Sequence, residues 1–587
     1  MRRMFFKFIR VRPRKTILTA FLFSGVIFFT FLLFISAQEQ SPTKRNLSGR
    51  VDYQGPVKGK IIVRLYKLNL NPQGKPRLLT KGEIYGEQAP LQSLVLPQPG
   101  GYSFSQLKPG YYSVIAFLDE DKNREIGFNP PEPLGWYAAE AAGRWAAIDL
   151  RKADFNQADL VLRQPVPFPR PEKKIAHGAL RWLKGLPVLH LWGTAEERGF
   201  AHGYLIGPQI IDFFEYYVLE DSWRSARRYE EIFVPFLKKN FNYPAEYLRE
   251  CQAVIKGMRA AGTDMRVKSL GREFGLSELL AINAYIERRA AFPVKEPAGC
   301  TQFAFWGPLT QRSELRGGLL AARNMDGECD LRKVTVSHFL LQAVEPSEPG
   351  CRRWVSAMWP GFVGTISGVN EAGLYSMENA GGTGPGPVVK GIVPCSWIQR
   401  YLLETQGQEA TPESVLAAME QFKNESGGIT APGSIILWAV PYRGQPAPAF
   451  VWEGDRFGGV MRRPTEVRPK SEFNIMAANH HLIYGYNPAQ PGFSFGRPVY
   501  FSSRWRYEVG CNILEAWSRT GQSLGVAEAI RLLQSVAHGT TEYAVIFLAN
   551  EGRLLVAVDD LKPDLWDAPY LKWVEFKFDE LFFSHHE

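Results

Sequence analysis

Residues Ile17–Ala37 read ILTAFLFSGVIFFTFLLFISA, 21 residues without a charge. That is long enough to cross a hydrocarbon core of about 30 Å. The leader, residues 1–16, carries Arg2, Arg3, Lys7, Arg10, Arg12, Arg14 and Lys15 and no acid. A basic leader ahead of one apolar run holds the N-terminus in the cytoplasm and exports the rest of the chain. Two forms of this reading stay open. A signal peptide would be cut after Ala37, but the apolar run exceeds the usual 7–15 residues. A retained single-span anchor fits the length better. The same feature explains the charge. Of the formal +10 at neutral pH, seven charges lie in the leader, leaving +3 for the body. A body so nearly balanced gives no footing for a nucleic-acid partner. Six Cys in 587 residues are too few for a disulfide scaffold.

Beyond the anchor the texture changes four times. From residue 47 to 163, short alternating runs are punctuated by Gly and Pro, as in GKIIVRLYKL (Gly59–Leu68), LQSLVL (Leu91–Leu96) and GYYSVIAFLD (Gly110–Asp119). That pattern predicts a small β-sandwich. Gln164–Lys174, QPVPFPRPEKK, has four Pro in eleven residues and reads as a stiff linker. Residues 175–299 read as a mostly helical region, with apolar spacing of three and four in Glu196–Trp223 and Ala245–Ala261. Residues 300–587 mix buried-type strands, TQFAFW (Thr301–Trp306), SIILWAV (Ser434–Val440), YAVIFLA (Tyr543–Ala549) and RLLVAV (Arg553–Val558), with helices beginning at Thr411-Pro412 and near Val526. Strands with interposed helices predict an α+β domain, layered αββα.

Much familiar chemistry is missing. The chain has no HExxH, CxxC or GxSxG. GGTGPGP (Gly381–Pro387) has two Pro and no following Lys-Ser/Thr, so it reads as a tight loop. His480 and His481 are adjacent and on a strand would point to opposite faces. No organic cofactor is called for. One ion site is conceivable: Asp119, Asp121 and Asn123 offer oxygens at alternate positions, which suits Ca²⁺. The loop lacks the Gly and Glu that complete such a site, and a polar hairpin turn is the competing reading. Cys329 and Cys351 flank a strand region and are the first candidates for a disulfide pair.

The informative constellation begins at Cys300 in PAGCTQFAFWG. Further on stands AARNMDGE, with Arg323 and Asp326 in an apolar, Gly-rich setting. Isolated charges near a core are costly unless paired, and a thiolate and an amine would be suitable partners. CT and then ARNMDGE resemble the start of the N-terminal-nucleophile cysteine hydrolases, the group of the choloylglycine and penicillin V hydrolases and the acyl-coenzyme A:6-aminopenicillanate acyltransferases. Four further segments resemble that group in the same order. They are GTAEERGFAHGYLIGPQI (Gly193–Ile210), SGVNEAGLYSMEN (Ser367–Asn379), AANHH (Ala477–His481) and FSSRWRYE (Phe501–Glu508). Ala478 stands where the group usually has Thr, and the Asn of MEN is one residue off the bile-salt-hydrolase spacing.

The resemblance implies a precursor that cuts itself between Gly299 and Cys300. The new α-amine, with a reference pKa of about 7.7–8.0, would take the thiol proton. By the same resemblance Asp326 would orient the amine, Arg323 would sit beside the thiolate and lower its pKa, and Asn379 and Asn479 would donate to an oxyanion. Arg506 would brace Asp326 or the substrate, with Arg504 the rival. The implied activity is hydrolysis or transfer of the acyl group of a small acyl amide or ester. A phospholipase B-like lipid acyl hydrolase and a non-catalytic surface-binding protein remain alternatives. The β module resembles carboxypeptidase-regulatory-like or prealbumin-like sandwiches, which implies a spacer or contact role.

Overall fold

The computed structural model describes residues 44–127, 131–288, 299–327, 330–382, 390–426, 433–455, 457–485, 489, 493–494, 497–537, 539–560 and 567–583. The basic leader, the apolar run and most of the GGTGPGP loop lie outside the described residues. Among the described residues no helix is long and apolar enough to cross a membrane.

Residues 45–161 form two facing sheets. Arg45–Asp52 pairs with Gly100–Leu107 and Leu160–Val161; Lys60–Leu68, Gln92–Leu96, Tyr111–Asp119 and Leu134–Trp136 make the second sheet with a short strand at Ile148–Asp149. Val63, Leu65, Val114 and Ala116 face Tyr102 and Phe104 across the sandwich. The reverse face of the same strands is buried too, with Ile62, Tyr66, Ile115 and Phe117 packed on Leu79, Ile84, Trp145 and Leu331. Burial on both faces explains why VIAFL is continuously apolar rather than alternating.

The remainder is built on two larger sheets. One has ten strands. From the edge strand Lys173–Ile175 it passes to the hairpin Gly178–Leu183/Leu186–Gly193, which joins Leu340–Pro346 in parallel, and the sheet then continues antiparallel through Trp354–Met358, Ser367–Asn370, Tyr375–Ala380, Ser434–Ala439, Ala449–Asp455 and Gly458–Arg462. The other has six antiparallel strands in the order Asn474–Ala477, Gly299–Phe305, Leu320–Asp326, Thr541–Leu548, Arg553–Val558, Val574–Lys577. The two pack face to face. Met325, Tyr543 and Phe547 meet Ala357, Tyr375 and Leu437, and the Tyr375 and Phe547 rings are 4.4 Å apart. Alternate residues of the six-stranded sheet, Phe303, Phe305, Ala322 and Ile546, turn outward onto Leu514, Leu532 and Leu533. Those leucines belong to the helices Phe501–Thr520 and Val526–Ser535. Helices Ala195–Asp212 and Cys395–Thr405 pack on the ten-stranded sheet, and Ala245–Ala260 packs on Ala195–Asp212. The order is therefore helix, sheet, sheet, helix.

Two segments differ from the sequence reading. The stretch from residue 175 is not helical at its start: Gly178–Leu183 and Leu186–Gly193 are strands. Lys184 and Gly185, at φ 52° and 95°, supply the left-handed pair that a two-residue hairpin needs. The Pro-rich segment does not stand clear as a spacer. Phe168 is buried, Val166 N donates to the Asp212 carboxylate, and Gln209 Nε2 donates to Pro167 O at 2.7 Å. Backbone groups that this segment cannot pair in a ladder are met by side chains of one helix. That helix owes its E-x-G-x-x-x-G pattern to packing. A Cβ at Gly203 would lie 1.9 Å from Val254 O of the neighbouring helix, so only Gly permits the crossing.

Glu287 is fully buried and accepts the Cys395 N–H at 2.8 Å. Burial pushes its carboxyl up to about 8. Between its unfolded value of about 4.3 and this raised value, the folded chain binds the extra proton. This group's contribution is therefore complete at low pH and lost as pH rises through that window. Glu287→Gln keeps an acceptor and removes the titration. It should be more stable than wild type by on the order of 4 kcal/mol at about pH 8 and by only about 1 kcal/mol at about pH 5. Thermal unfolding at the two pH values checks this; parallel pH slopes would contradict it.

Candidate active site

Cys300 is the second residue of the strand Gly299–Phe305 and pairs with Met325, while Gly299 pairs with Asp326. The thiol is buried in the space between the two sheets. Arg323, fully buried, reaches across that space. Its Nη2 lies 3.2 Å from Cys300 Sγ and donates to Glu378 O, and its Nη1 donates to Ser367 Oγ at 2.7 Å and to Ile366 O. These acceptors make a buried guanidinium tolerable. Burial pushes the Cys300 thiol up from its usual value, and the Asp326 carboxylate adds to this; Arg323 pulls it down. The cation acts in the expected direction, but burial outweighs it.

The backbone nitrogen of Cys300 donates to Asn479 Oδ1 at 2.8 Å. The same oxygen accepts Arg506 Nη2 at 2.9 Å. Two donors on one oxygen fix which way the amide points, and its Nδ2 donates to Ala380 O at 3.0 Å. Ser503 Oγ, at the start of the helix Phe501–Thr520, accepts the Asn479 N–H at 2.8 Å. Arg506 Nη1 bonds Cys300 O and Thr301 Oγ1 and stands 3.9 Å from Asp326 Oδ2. Arg504, two residues away, points outward to an exposed pair with Glu508 at 2.8 Å. At about 100° per residue, positions i and i+2 fall on different helix faces, so only one Arg of RWR faces the site. Asp326 Oδ1 accepts the Thr541 hydroxyl at 2.5 Å. Asn379 Nδ2 donates to Ala478 O at 3.0 Å and Cys300 O at 3.3 Å.

All six sequence-predicted residues, Cys300, Arg323, Asp326, Asn379, Asn479 and Arg506, thus meet at one end of the six-stranded sheet. Both asparagine amides donate to backbone carbonyls, so an oxyanion would have to displace one of those bonds. Sequence reading missed Thr541, Ser503 and Ser367. Each is a small hydroxyl residue in an ordinary strand or helix-start context, and only the tertiary register brings it here. His480 bonds Ser503 through Nδ1 at 2.7 Å and is held neutral by burial, its pKa lowered to about 4.

At the β module, carboxylate oxygens of Asp119, Asp121 and Glu132 lie within 4.8 Å of one another. Glu132, absent from the sequence reading, replaces Asn123, whose Nδ2 donates to Asp121 Oδ2 at 2.8 Å. Backbone N–H groups of Arg124, Asn123, Glu120 and Gly127 occupy Asp119, Asp121 and Glu132. These bonds close a turn, and the three carboxylates are also grouped closely enough to hold a cation. Cys351 is a free thiol, and Cys329, the partner suggested by sequence, lies outside the described residues.

No protein-family model matches the chain. An uncharacterized protein of Archaeoglobus fulgidus is 23% identical over 348 residues, 55% of this chain and 54% of that protein; the chain spans about half the length of the curated relative it matches. Among solved structures, the Caenorhabditis elegans N-acylethanolamine-hydrolyzing acid amidase ortholog is similar at 13% identity and TM-score 0.30, over 43% of this chain and 93% of that one. A mutant of the conjugated bile acid hydrolase from Clostridium perfringens is similar at 12% and 0.31, over 48% and 93%. Penicillin V acylase from Agrobacterium tumefaciens is similar at 15% and 0.25, over 44% and 83%. Likenesses this loose carry no weight for the fold, and the site stands on its own geometry.

Proposed function

We propose that this chain is a self-processing cysteine hydrolase or acyltransferase of the N-terminal-nucleophile kind, acting on a small acyl amide. The observation that carries the reading is the pair of contacts at Cys300. Its nitrogen is held on Asn479 Oδ1 at 2.8 Å while its sulfur lies 3.2 Å from Arg323 Nη2. An amine generated at that nitrogen is born beside its own thiol, with a cation in place for the thiolate. The packing of two sheets between helices supports the same reading.

Processing begins when the Cys300 thiol adds to the Gly299 carbonyl. The Gly299–Cys300 C–N bond breaks, the acyl group passes to sulfur as a thioester, and the thiol proton ends on the new amine. Water then hydrolyses the thioester, releasing the Gly299 carboxylate and restoring the thiol. In turnover the free amine takes the thiol proton and the thiolate attacks the substrate carbonyl. The leaving amine departs with that proton, and water or a second amine takes the acyl group from sulfur. Asp326, held by Thr541 and Arg506, orients the Cys300 amine. Asn379 and Asn479 serve the oxyanion, one donor of that kind being worth about 2.7–4 kcal/mol. The apolar run Ile17–Ala37 belongs to an exported, anchored topology in this account.

A panel of N-acyl amides and matched acyl esters tests the substrate class. Amide turnover abolished by thiol alkylation is expected. Turnover of phospholipid esters alone would favour the lipid-hydrolase alternative, and turnover of none would leave a binding protein.

A further inference from the structure

Residues 330–332, four to six positions past Asp326, pack against the β-sandwich. Leu331, 2% exposed, belongs to the apolar cluster of Ile62, Tyr66, Ile115 and Phe117 on the back of the sandwich. Tyr85 Oη lies within hydrogen-bond reach of Leu331 O and Asp330 O, at 3.2 and 3.3 Å. The Arg332 guanidinium sits 4.3 Å from the Trp136 ring centroid and 4.9 Å from that of Tyr216, and donates to Leu134 O. Lys81 and Arg144 of the sandwich both reach Asp221, at 3.2 and 3.1 Å. A spacer module would leave this face free; here it is taken up by the residues next to the candidate site.

Residues 330–335 and Gly327 are each held in place. Asp330, buried, accepts the N–H groups of Arg332 at 2.9 Å and Thr335 at 3.2 Å. Trp359 Nε1 donates to Thr335 O at 2.6 Å. Beside Asp326, Gly327 N donates to Thr540 O at 3.0 Å, and a Cβ on Gly327 would lie 2.4 Å from Glu542 Oε1. The partner strand carries a register shift here: Met325 pairs with Tyr543 and Asp326 with Thr541, leaving Glu542 as an extra residue. Bulges of this kind re-aim neighbouring side chains, and this one brings the Thr541 hydroxyl onto Asp326.

We infer that the β-sandwich is a positioning element of the active site: through Tyr85, the Leu134 carbonyl and Trp136 it holds residues 330–332, four to six positions along the chain from Asp326. Leu331 and Tyr85 are then positioning residues, acting through Asp326 on the Cys300 amine. This rests on Cys300 being the nucleophile.

The test uses full-length chain carrying Leu331→Ala, Leu331→Met, Tyr85→Phe or Arg144→Ala, with cleavage rate, kcat, KM and melting temperature measured for each. Misplacing a catalytic group by about 1 Å can cost 10²-fold, and loosening residues 330–332 should cost less. Leu331→Ala is expected to lower kcat and cleavage rate about five- to ten-fold with KM nearly unchanged, and Tyr85→Phe about two- to three-fold. Leu331→Met should restore the rate. Arg144→Ala loosens the same interface away from residues 330–332 and should move only the melting temperature. Wild-type kcat and cleavage in Leu331→Ala, with a lowered melting temperature, would overturn the inference and leave the sandwich a stabilising neighbour. A wild-type chain that neither cleaves nor turns over any thiol-dependent substrate would instead sink the nucleophile reading, and the positioning role with it.

Discussion

Cys300→Ala should lose turnover by roughly 10⁴-fold or more while melting close to wild type. The small change in stability comes from the surroundings. Arg323 keeps Ser367 Oγ, Ile366 O and Glu378 O as acceptors when the sulfur is gone, so no buried charge is orphaned. Cys251, Cys395 and Cys511 make the controls. All three are buried and burial holds their thiols protonated, with Cys511 pushed up to about 12. Replacing any of them by Ala should leave turnover intact. Steady-state rates of the four variants on one amide substrate decide the matter; retained activity in Cys300→Ala would remove the nucleophile from the account.

The second large effect belongs to Arg506. It is the cation that Cys300 O, Thr301 Oγ1, Asn479 Oδ1 and, at 3.9 Å, Asp326 Oδ2 share. Burial pulls its guanidinium down from the usual value, and the Asp326 carboxylate pushes it back. Arg506→Met strips that support from Asp326 and lets the Asn479 amide turn. Removing one partner of a buried charged contact costs about 3–5 kcal/mol of stability, and loss of the fixed Asn479 donor should cost roughly 10²–10³-fold in kcat/KM. Arg504→Ala, two residues away, removes only an exposed pair worth about 0–1 kcal/mol and should change neither. Thermal unfolding and kcat/KM on both variants separate the two arginines. Equal damage from both would mean that the helix as a whole, and not Arg506, supports the site.

Local pattern carried most of the strands. Lys60–Leu68, Tyr111–Asp119, Ser434–Ala439 and Arg553–Val558 lie where short apolar runs sit between turn residues. The hairpin Gly178–Gly193 was hidden because the strong helix Ala195–Asp212 comes directly after it, and the three- and four-residue spacing of its apolar face dominates the region. Its Lys184-Gly185 turn is an uncommon pair for a hairpin, and only the two positive φ angles disclose it. Candidate site residues were legible where the side chain is chemically costly to bury: Cys300, Arg323, Asp326. Thr541, Ser503 and Ser367 carry no such cost, and strand register across 215 residues places Thr541 on Asp326. Docking of the sandwich was beyond sequence reading for the same reason. Tyr85 and Leu331 are 246 residues apart and neither is unusual in its own segment.

Every step proposed for turnover requires Cys300 to become an N-terminal residue. Intact-mass measurement with N-terminal sequencing of purified wild-type protein tests it most directly. Two chains are expected, the second beginning CTQFAFWG at Cys300, and a single uncut chain for Cys300→Ala. A wild-type protein that stays one chain, with Gly299 still bonded to Cys300 and no thiol-dependent acyl turnover, would contradict it.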